Sequence, residues 1–198
     1  MGSGAIGIEF AYFFNTIGAK VTVIEMQKQI MPTEDKEIAD FAFKSFTKQG
    51  MKFFTDTKVK KVEKLSNKVK VYLETAAGKE EVIEGDTFIS AAGIIPNTEN
   101  LGLENTRVKL DIGRPFVNEW LNTTDPSIYA IGDIANGPYL AHKASHEGII
   151  VVEKIAGLPH VHKINTRTIP GCIYTHPQVA SVGLREEEAK NMGYQIKV

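Results

Sequence analysis

Cysteine is nearly absent from this chain, since Cys172 is the only one among 198 residues. A single cysteine cannot form a disulfide within the chain, and it cannot form a redox centre of two neighbouring thiols. Because Cys172 lies in an apolar stretch, we interpret it as a structural thiol. The sequence also shows no signal-peptide pattern. A single cysteine and no signal peptide are together typical of a protein in a reducing, cytoplasmic setting.

An excess of charge of one sign is also absent. Lysine and arginine total 23 and aspartate and glutamate total 24, which leaves a net charge of −1. This balance gives no electrostatic reason to expect nucleic acid or an anionic membrane as a partner. No apolar run approaches the length of a membrane span. The hydrophobic content of 42% supports a globular protein with a substantial core.

The most specific motif is a Gly-x-Gly-x-x-Gly loop at the start of the chain. Gly2, Gly4 and Gly7 hold its three glycine positions. The first glycine permits a tight turn, the second lets the backbone approach a pyrophosphate, and the third lets the helix pack closely. The phosphates then lie at a helix N-terminus, where free N–H groups and the helix dipole favour negative charge. The loop therefore predicts a dinucleotide-binding site.

An amphipathic helix and a strand follow the loop, as in dinucleotide-binding domains. Residues 5–18 predict the helix, and its apolar positions are Ile6, Phe10, Phe13, Phe14 and Ile17. Residues 21–25 predict the strand, and Glu25 at its end can accept hydrogen bonds from the hydroxyls of an adenosine ribose. The same carboxylate would repel a 2′-phosphate, and no arginine lies between Glu25 and Pro32. We therefore expect NAD to be preferred to NADP.

The pattern further along predicts the rest of a Rossmann-like α/β domain. We expect a helix at 34–49, a short strand at 52–54, an antiparallel β-meander within 59–83 and a short apolar strand at 87–91. The glycine loop normally follows a buried strand, so we expect the first strand of this domain to be truncated. A second unit begins near residue 115, with a buried strand at 128–133 and a helix at 141–156. The predicted apolar positions of the two later helices are Ile38, Phe41, Ala42 and Phe46, and Ala144, Ile149, Val152 and Ile155.

Six motifs carry a family resemblance that covers essentially the whole chain. They lie at residues 2–9, 92–97, 130–135, 140–144, 147–148 and 169–177. With them the chain resembles the dihydrolipoamide dehydrogenases, which are flavoprotein pyridine-nucleotide disulfide oxidoreductases. The resemblance implies an NAD-binding domain at 1–114, the C-terminal part of an FAD-binding domain at 115–162, and the start of an α+β dimerisation domain at 163–198.

The resemblance also implies which residues bind NAD. The three loop glycines would hold the pyrophosphate and Glu25 the adenosine ribose, and Glu25 disfavours the NADP-using members of the family. Glu9 matches a glutamate that orients the nicotinamide ring against the flavin. Gly93 matches a glycine that lets the backbone pass close to NAD. The chain departs from the family at Ile94, where arginine is usual.

A second set of residues is implied to bind FAD. Asp133 matches an aspartate that bonds to the ribityl chain. Leu140, Ala141 and His142 match a helix start whose backbone amides face the flavin pyrimidine ring and stabilise negative charge there. His146 follows His142 by four residues, a spacing that metal sites use, but no third ligand is apparent and we predict no metal site.

For the whole enzyme the resemblance implies NAD-dependent oxidation of dihydrolipoamide through a redox disulfide and FAD. It also implies a homodimer that serves the lipoyl domains of 2-oxo acid dehydrogenase complexes. We predict no catalytic residue in this chain, because the paired cysteines, the N-terminal FAD fingerprint and the C-terminal His–Glu pair are missing from it, and His176 matches a structural position. We therefore expect a fragment without turnover of its own. The alternatives are another FAD-dependent disulfide reductase of this family, a non-catalytic NAD-binding module, and a degenerate remnant with a misplaced start.

Overall fold

The computed structural model describes residues 1–198 as a mixed α/β protein, which confirms the predicted fold class. In chain order its helices and strands are α1 (Ala5–Thr16), β1 (Thr22–Ile24), α2 (Lys36–Lys48), β2 (Lys52–Phe54), β3 (Thr57–Lys64), β4 (Val69–Thr75), β5 (Glu80–Gly85), β6 (Leu110–Asp111), β7 (Arg114–Pro115), α3 (Ala141–Ile155), β8 (Gly171–Ile173), β9 (Val179–Ser181) and α4 (Glu186–Asn191). Short 3-10 helices lie at Leu103–Asn105, Gly132–Ile134 and Thr166–Thr168. None of the helices combines the length and apolarity needed to cross a bilayer.

The chain folds into two compact units. Unit 1 comprises Met1–Gly93 and Pro170–Val198, and unit 2 comprises Ile94–Ile169. The division into domains at 1–114, 115–162 and 163–198 stays a prediction.

Unit 1 is built on a parallel strand pair, in which β1 lies beside β2. Helix α2 begins after Asp35, carries Glu37 in its first turn and ends with Lys48, so its charges complement the helix dipole. Its buried side chains join those of α1 and of the β8–β9 pair in one core. The members of that core are Ile8, Ala11, Val23, Ile30, Met31, Ala39, Ala42, Phe46, Met51, Ile173 and Val179.

The predicted β-meander is present in unit 1 as the antiparallel sheet β3–β4–β5. One face packs inward, where Val71 and Leu73 of β4 contact Ile24 of β1 in a second buried cluster. The other side carries cross-strand ion pairs on exposed lysines, with Lys60 Nζ 2.6 Å from Glu74 Oε2. The sheet therefore has one buried face and one solvated face, as the alternating sequence predicts.

Unit 2 holds the short hairpin β6–β7, the helix α3 and much irregular chain. The most buried side chains of α3 are Lys143, Glu147 and Val151. Two of these three are charged, so the inner face of the helix is organised around an ion pair.

Two predicted strands are wrong. Residues 87–91 form no strand, because their backbone is paired only with Met1. Met1 N donates to Ile89 O at 2.8 Å, and Ala91 N donates to Met1 O at 2.8 Å. Residues 128–133 likewise form no strand. Tyr129 makes a single bridge to Asn122, and Gly132 begins a 3-10 turn.

The predicted buried faces of the helices are also wrong in part. In α1 the buried residues are Ile8 and Ala11, whereas Phe13 is 55% exposed. In α2 the buried stripe runs through Ala39, Ala42 and Phe46, and in α3 Val152 is 65% exposed. Helix α1 carries apolar residues around most of its circumference, so periodicity alone does not select the stripe that packs. Ile6, Phe10, Ile17, Ile38, Phe41, Ile149 and Ile155 are exposed as well.

Candidate dinucleotide-binding site

The three glycines of the loop differ in what surrounds them. Gly2 has a φ of +89°, and a Cβ on it would collide with the carbonyl oxygen of Ala91. A Cβ on Gly7 would collide with the carbonyl oxygen of Gly2. Around Gly4 the space is open, since a Cβ there would meet nothing within 4 Å. Two glycines are thus required by packing within the chain, and the third leaves room beside the loop.

The loop leads directly into the N-terminus of α1. Gly4 is the N-cap residue, it provides no side-chain cap, and the first turn contains no acidic residue. The first amides of a helix have no partner within the helix, so here no side chain of the first turn occupies them. Open space at Gly4 and uncapped amides together make a cradle that suits a pyrophosphate.

Glu25 lies directly after β1, and its side chain is held firmly beside the loop. The residue is 7% exposed. Its Oε2 accepts hydrogen bonds from Ser3 N at 2.8 Å and Ser3 Oγ at 2.6 Å, and its Oε1 accepts one from Gln27 N at 2.8 Å. A carboxylate offers about four acceptor positions, so one position on Oε1 is left for a ribose hydroxyl.

Sequence reasoning missed Ser3, which is fully buried. It couples the glycine loop to the strand end, because its amide and hydroxyl both bind Glu25 and its carbonyl accepts from Met31 N at 2.9 Å. A hydroxyl residue between the first two loop glycines is the signal that could have found it.

Two further predicted NAD residues also belong to unit 1. Glu9 lies in α1, and its Oε1 accepts a hydrogen bond from Tyr174 N at 2.8 Å. Gly93 has a φ of +127°, a conformation that essentially only glycine adopts. The structure brings Gly2, Gly4, Gly7 and Glu25 together around one loop.

The predicted FAD residues lie in unit 2. Asp133 is exposed and sits in the 3-10 turn Gly132–Ile134, where Gly132 has a φ of +72°. Arg114 holds this turn by donating to the carbonyl oxygen of Asp133 at 2.8 Å and to that of Ala135. Leu140 is the N-cap of α3 and provides no side-chain cap, and Ala141 and His142 follow it in the first turn of the helix.

A buried ion pair behind Asp133 was also missed. Lys143 and Glu147 are 1% and 2% exposed, and Nζ lies 3.0 Å from Oε1. Glu147 Oε2 accepts from Gly132 N at 2.7 Å, and Lys143 Nζ donates to Gly132 O at 3.2 Å. The pair therefore forms hydrogen bonds with both the backbone N–H and the backbone carbonyl of Gly132. Opposite charges four residues apart within an otherwise apolar helix face are the signal in the sequence.

The remaining candidates for chemistry are isolated. Cys172 lies on β8 and is exposed, so it is not packed in the core. His176 is exposed, and its carbonyl oxygen accepts from Gln49 Nε2 at 2.8 Å. Neither residue adjoins a second reactive side chain in a way that suggests catalysis.

Two family models match the chain. The model described as pyridine nucleotide-disulphide oxidoreductase matches residues 1–148. The model of the dimerisation domain of the same family matches residues 169–198.

Curated relatives align with the whole chain. A dihydrolipoyl dehydrogenase from Rhizobium etli is 52% identical over 198 residues, and one from Zymomonas mobilis is 44% identical. A leghemoglobin reductase from Glycine max is 41% identical. The chain spans 41%, 42% and 38% of the length of these three proteins, respectively.

Solved structures with the same fold include LpdA from Mycobacterium tuberculosis and a HOCl-induced flavoprotein disulfide reductase from Escherichia coli. The first has a TM-score of 0.86 and 29% identity, and the alignment covers 96% of this chain and 41% of that one. The second has a TM-score of 0.86 and 29% identity, and the alignment covers 100% of this chain and 44% of that one.

Proposed function

Because the chain belongs to the pyridine nucleotide-disulphide oxidoreductase family, we propose that it is part of a dihydrolipoyl dehydrogenase and carries that enzyme's NAD site. The relatives that are 52% and 44% identical bear that name. In the whole enzyme a dihydrolipoyl dithiol loses two electrons and two protons to become a disulfide, and NAD⁺ is reduced to NADH with release of one proton. The cofactors supply the electron and hydride transfer, and the residues of this chain bind and orient them.

One observation carries the NAD assignment: a buried carboxylate, Glu25, is fixed beside a glycine loop that has open space at Gly4. The loop amides favour the pyrophosphate, and Glu25 Oε1 retains an acceptor position for a ribose hydroxyl. A 2′-phosphate would bring negative charge against a carboxylate that is already desolvated, so NADP is disfavoured. Glu9 and Gly93 are assigned to the nicotinamide half of the same cofactor.

The FAD assignment rests on unit 2. The exposed carboxylate of Asp133 stands on a turn held by Arg114 and by the Lys143–Glu147 pair, which fits a hydroxyl-bearing chain such as ribityl. The start of α3 at Leu140, Ala141 and His142 lies at the positive end of the helix dipole, which fits a group that gains negative charge on reduction.

The wider assembly is part of the same proposal. The match of residues 169–198 to a dimerisation domain supports a homodimer. The names of the relatives fit a dihydrolipoyl group as the electron donor. In this proposal the group belongs to lipoyl domains of 2-oxo acid dehydrogenase complexes, and the protein acts in the cytoplasm. A second candidate, another flavoprotein disulfide reductase, is favoured by the structural similarity to the Escherichia coli reductase.

Calorimetric titration of the purified chain with NADH and with NADPH tests the NAD site. We expect NADH to bind at least about tenfold more tightly, a difference of about 1.4 kcal/mol. Glu25→Gln keeps an acceptor for Ser3 but removes the charge, so discrimination between the two nucleotides should fall, and Glu25→Arg should move preference towards NADPH. Glu80→Gln, at an exposed glutamate of β5, is the control. Equal affinity of the unaltered chain for both nucleotides would reject the role of Glu25.

A turnover assay with dihydrolipoamide distinguishes this chain from the whole enzyme. The chain has one thiol, so it cannot form the redox disulfide, and we expect no NADH production from dihydrolipoamide. Measurable NADH production by the purified chain would contradict the proposal that this chain binds the cofactors but lacks the redox disulfide.

A further inference from the structure

We propose, building on the NAD site of the proposed function, that the hydroxyl of Ser3 sets the selectivity of this site for NAD over NADP. It does so by locking the Glu25 carboxylate in the position from which that carboxylate excludes a 2′-phosphate. Ser3 is fully buried, so it acts through Glu25 and not on the nucleotide itself. It is therefore a positioning residue that determines specificity.

Two donors of Ser3 converge on one oxygen of Glu25. Ser3 N lies 2.8 Å from Oε2, and Ser3 Oγ lies 2.6 Å from the same oxygen. The second distance is in the range of charge-assisted hydrogen bonds between a hydroxyl and a carboxylate, which are roughly twice as strong as neutral ones. The hydroxyl makes no other hydrogen bond, so it would lose its only partner if Glu25 turned away. A buried donor does not regain that loss from water.

The segment after Glu25 completes a hydrogen-bonded ring around the carboxylate. Gln27 N donates to Oε1 at 2.8 Å, and Met31 N of the same segment donates to Ser3 O at 2.9 Å. The three donors on the carboxylate are all uncharged, so no cation neutralises Glu25 within hydrogen-bond distance. The negative charge is thus fixed in place without being cancelled.

Fixing the carboxylate penalises NADP much more than NAD. An exposed glutamate could rotate into solvent, where water and salt screen its repulsion of a phosphate. Glu25 is only 7% exposed, so it either breaks its hydrogen bonds with Ser3 or faces the 2′-phosphate in poorly screened surroundings. NAD carries a hydroxyl at that position and requires no movement of Glu25. The Ser3 hydroxyl therefore raises the cost of binding NADP selectively.

Calorimetric titration of Ser3→Ala with NADH and with NADPH tests the proposal. The variant removes the hydroxyl and keeps the amide, so Glu25 remains in the site but is held less firmly. We expect the ratio of the Kd for NADPH to the Kd for NADH to fall by at least about threefold, mainly because NADPH binds more tightly. Ser3→Gly, which also lacks the hydroxyl, should lower the ratio in the same way.

Thr57→Val is the matched control. Thr57 is also buried in unit 1, and its hydroxyl donates to Thr55 O at 2.8 Å. Its amide donates to Glu25 O at 3.0 Å, so it adjoins the backbone of Glu25 but makes no hydrogen bond to the carboxylate. Loss of this hydroxyl should leave the ratio of the two Kd values unchanged, even if the stability of unit 1 falls.

A double variant shows whether Ser3 acts through Glu25. In the Glu25→Gln background, Ser3→Ala should have no further effect on the ratio, because the charge that it positions is gone. The proposal fails if Ser3→Ala leaves the ratio unchanged, if it weakens both nucleotides equally, or if it lowers the ratio just as much without the Glu25 charge. These outcomes reject the role of Ser3 alone, whereas an unaltered chain that binds no NADH would reject the NAD site and the role of Ser3 with it.

Discussion

The buried pair in unit 2 permits a quantitative prediction. Lys143 and Glu147 are almost completely excluded from solvent, and each is bonded to the other and to Gly132. Removing one member leaves an uncompensated charge in the interior, which typically costs about 3–5 kcal/mol. Glu147→Gln keeps an acceptor for Gly132 N but leaves the Lys143 ammonium without a counter-charge. We therefore expect this single change to reduce the free energy of unfolding of unit 2 by roughly that amount.

The double variant Lys143→Met with Glu147→Gln completes a cycle. It removes both charges, retains the acceptor for Gly132 N and fills the space of the lysine side chain with an apolar one. Because desolvation opposes the attraction within the pair, the double variant should be destabilised by only about 1–2 kcal/mol, less than either single variant. The cycle thus separates the cost of an orphaned charge from the net contribution of the pair.

Tryptophan fluorescence during urea unfolding is the assay, because Trp120 is the only tryptophan and lies in unit 2. Glu119→Gln is the control, since it breaks the exposed Lys163–Glu119 pair of unit 2 and should change stability by less than about 1 kcal/mol. A loss below about 1 kcal/mol for Glu147→Gln would refute the reasoning. So would a double variant that is as unstable as the sum of the two singles.

Two further predictions concern the glycine loop and acid stability. Gly7→Ala should destabilise unit 1 by about 1–3 kcal/mol in circular-dichroism denaturation, because the added Cβ meets the backbone of Gly2. Gly4→Ala should leave the stability of unit 1 unchanged and weaken NADH binding. Equal stability of the two variants would contradict the packing argument. The Asp125 carboxylate accepts from Ser127 Oγ at 2.7 Å and from the amides of Ser127 and Arg107, which lowers its pKa to about 2. Since the folded pKa lies below the ordinary value of 3.8, this stabilisation is full above about pH 4 and is lost as pH falls towards 2. Asp125→Asn should flatten that part of the acid unfolding curve followed by Trp120, and an unchanged curve would exclude the role.

Local patterns made much of unit 1 predictable. The bounds of α1, α2 and the β-meander follow from helical and alternating spacing, and these depend on residues a few positions apart. Gly50 ends the turn after α2 with a φ of +99°, which the sequence also signals. The motif residues Gly2, Gly4, Gly7 and Glu25 were found in the same way, because the loop, helix and strand are contiguous in the chain.

The errors arise where pairing or burial is decided by distant residues. Residues 87–91 have the composition of a strand, but a strand needs a partner along its length, and only Met1 is bonded there. Phe13, Ile149 and Val152 fit apolar stripes, yet Ala11, Lys143 and Glu147 are the residues that pack inward.

The amino-acid sequence by itself determined the helices, the meander and the dinucleotide loop, because backbone propensity and periodicity act over a few neighbouring residues. The tertiary structure alone decided that Ser3 secures Glu25 and that a lysine and a glutamate are buried behind Asp133. It also decided that β1 and residues 87–89 line one cavity. Burial of a charge or exposure of a strand edge depends on residues far away in the chain, and only folding brings them into contact.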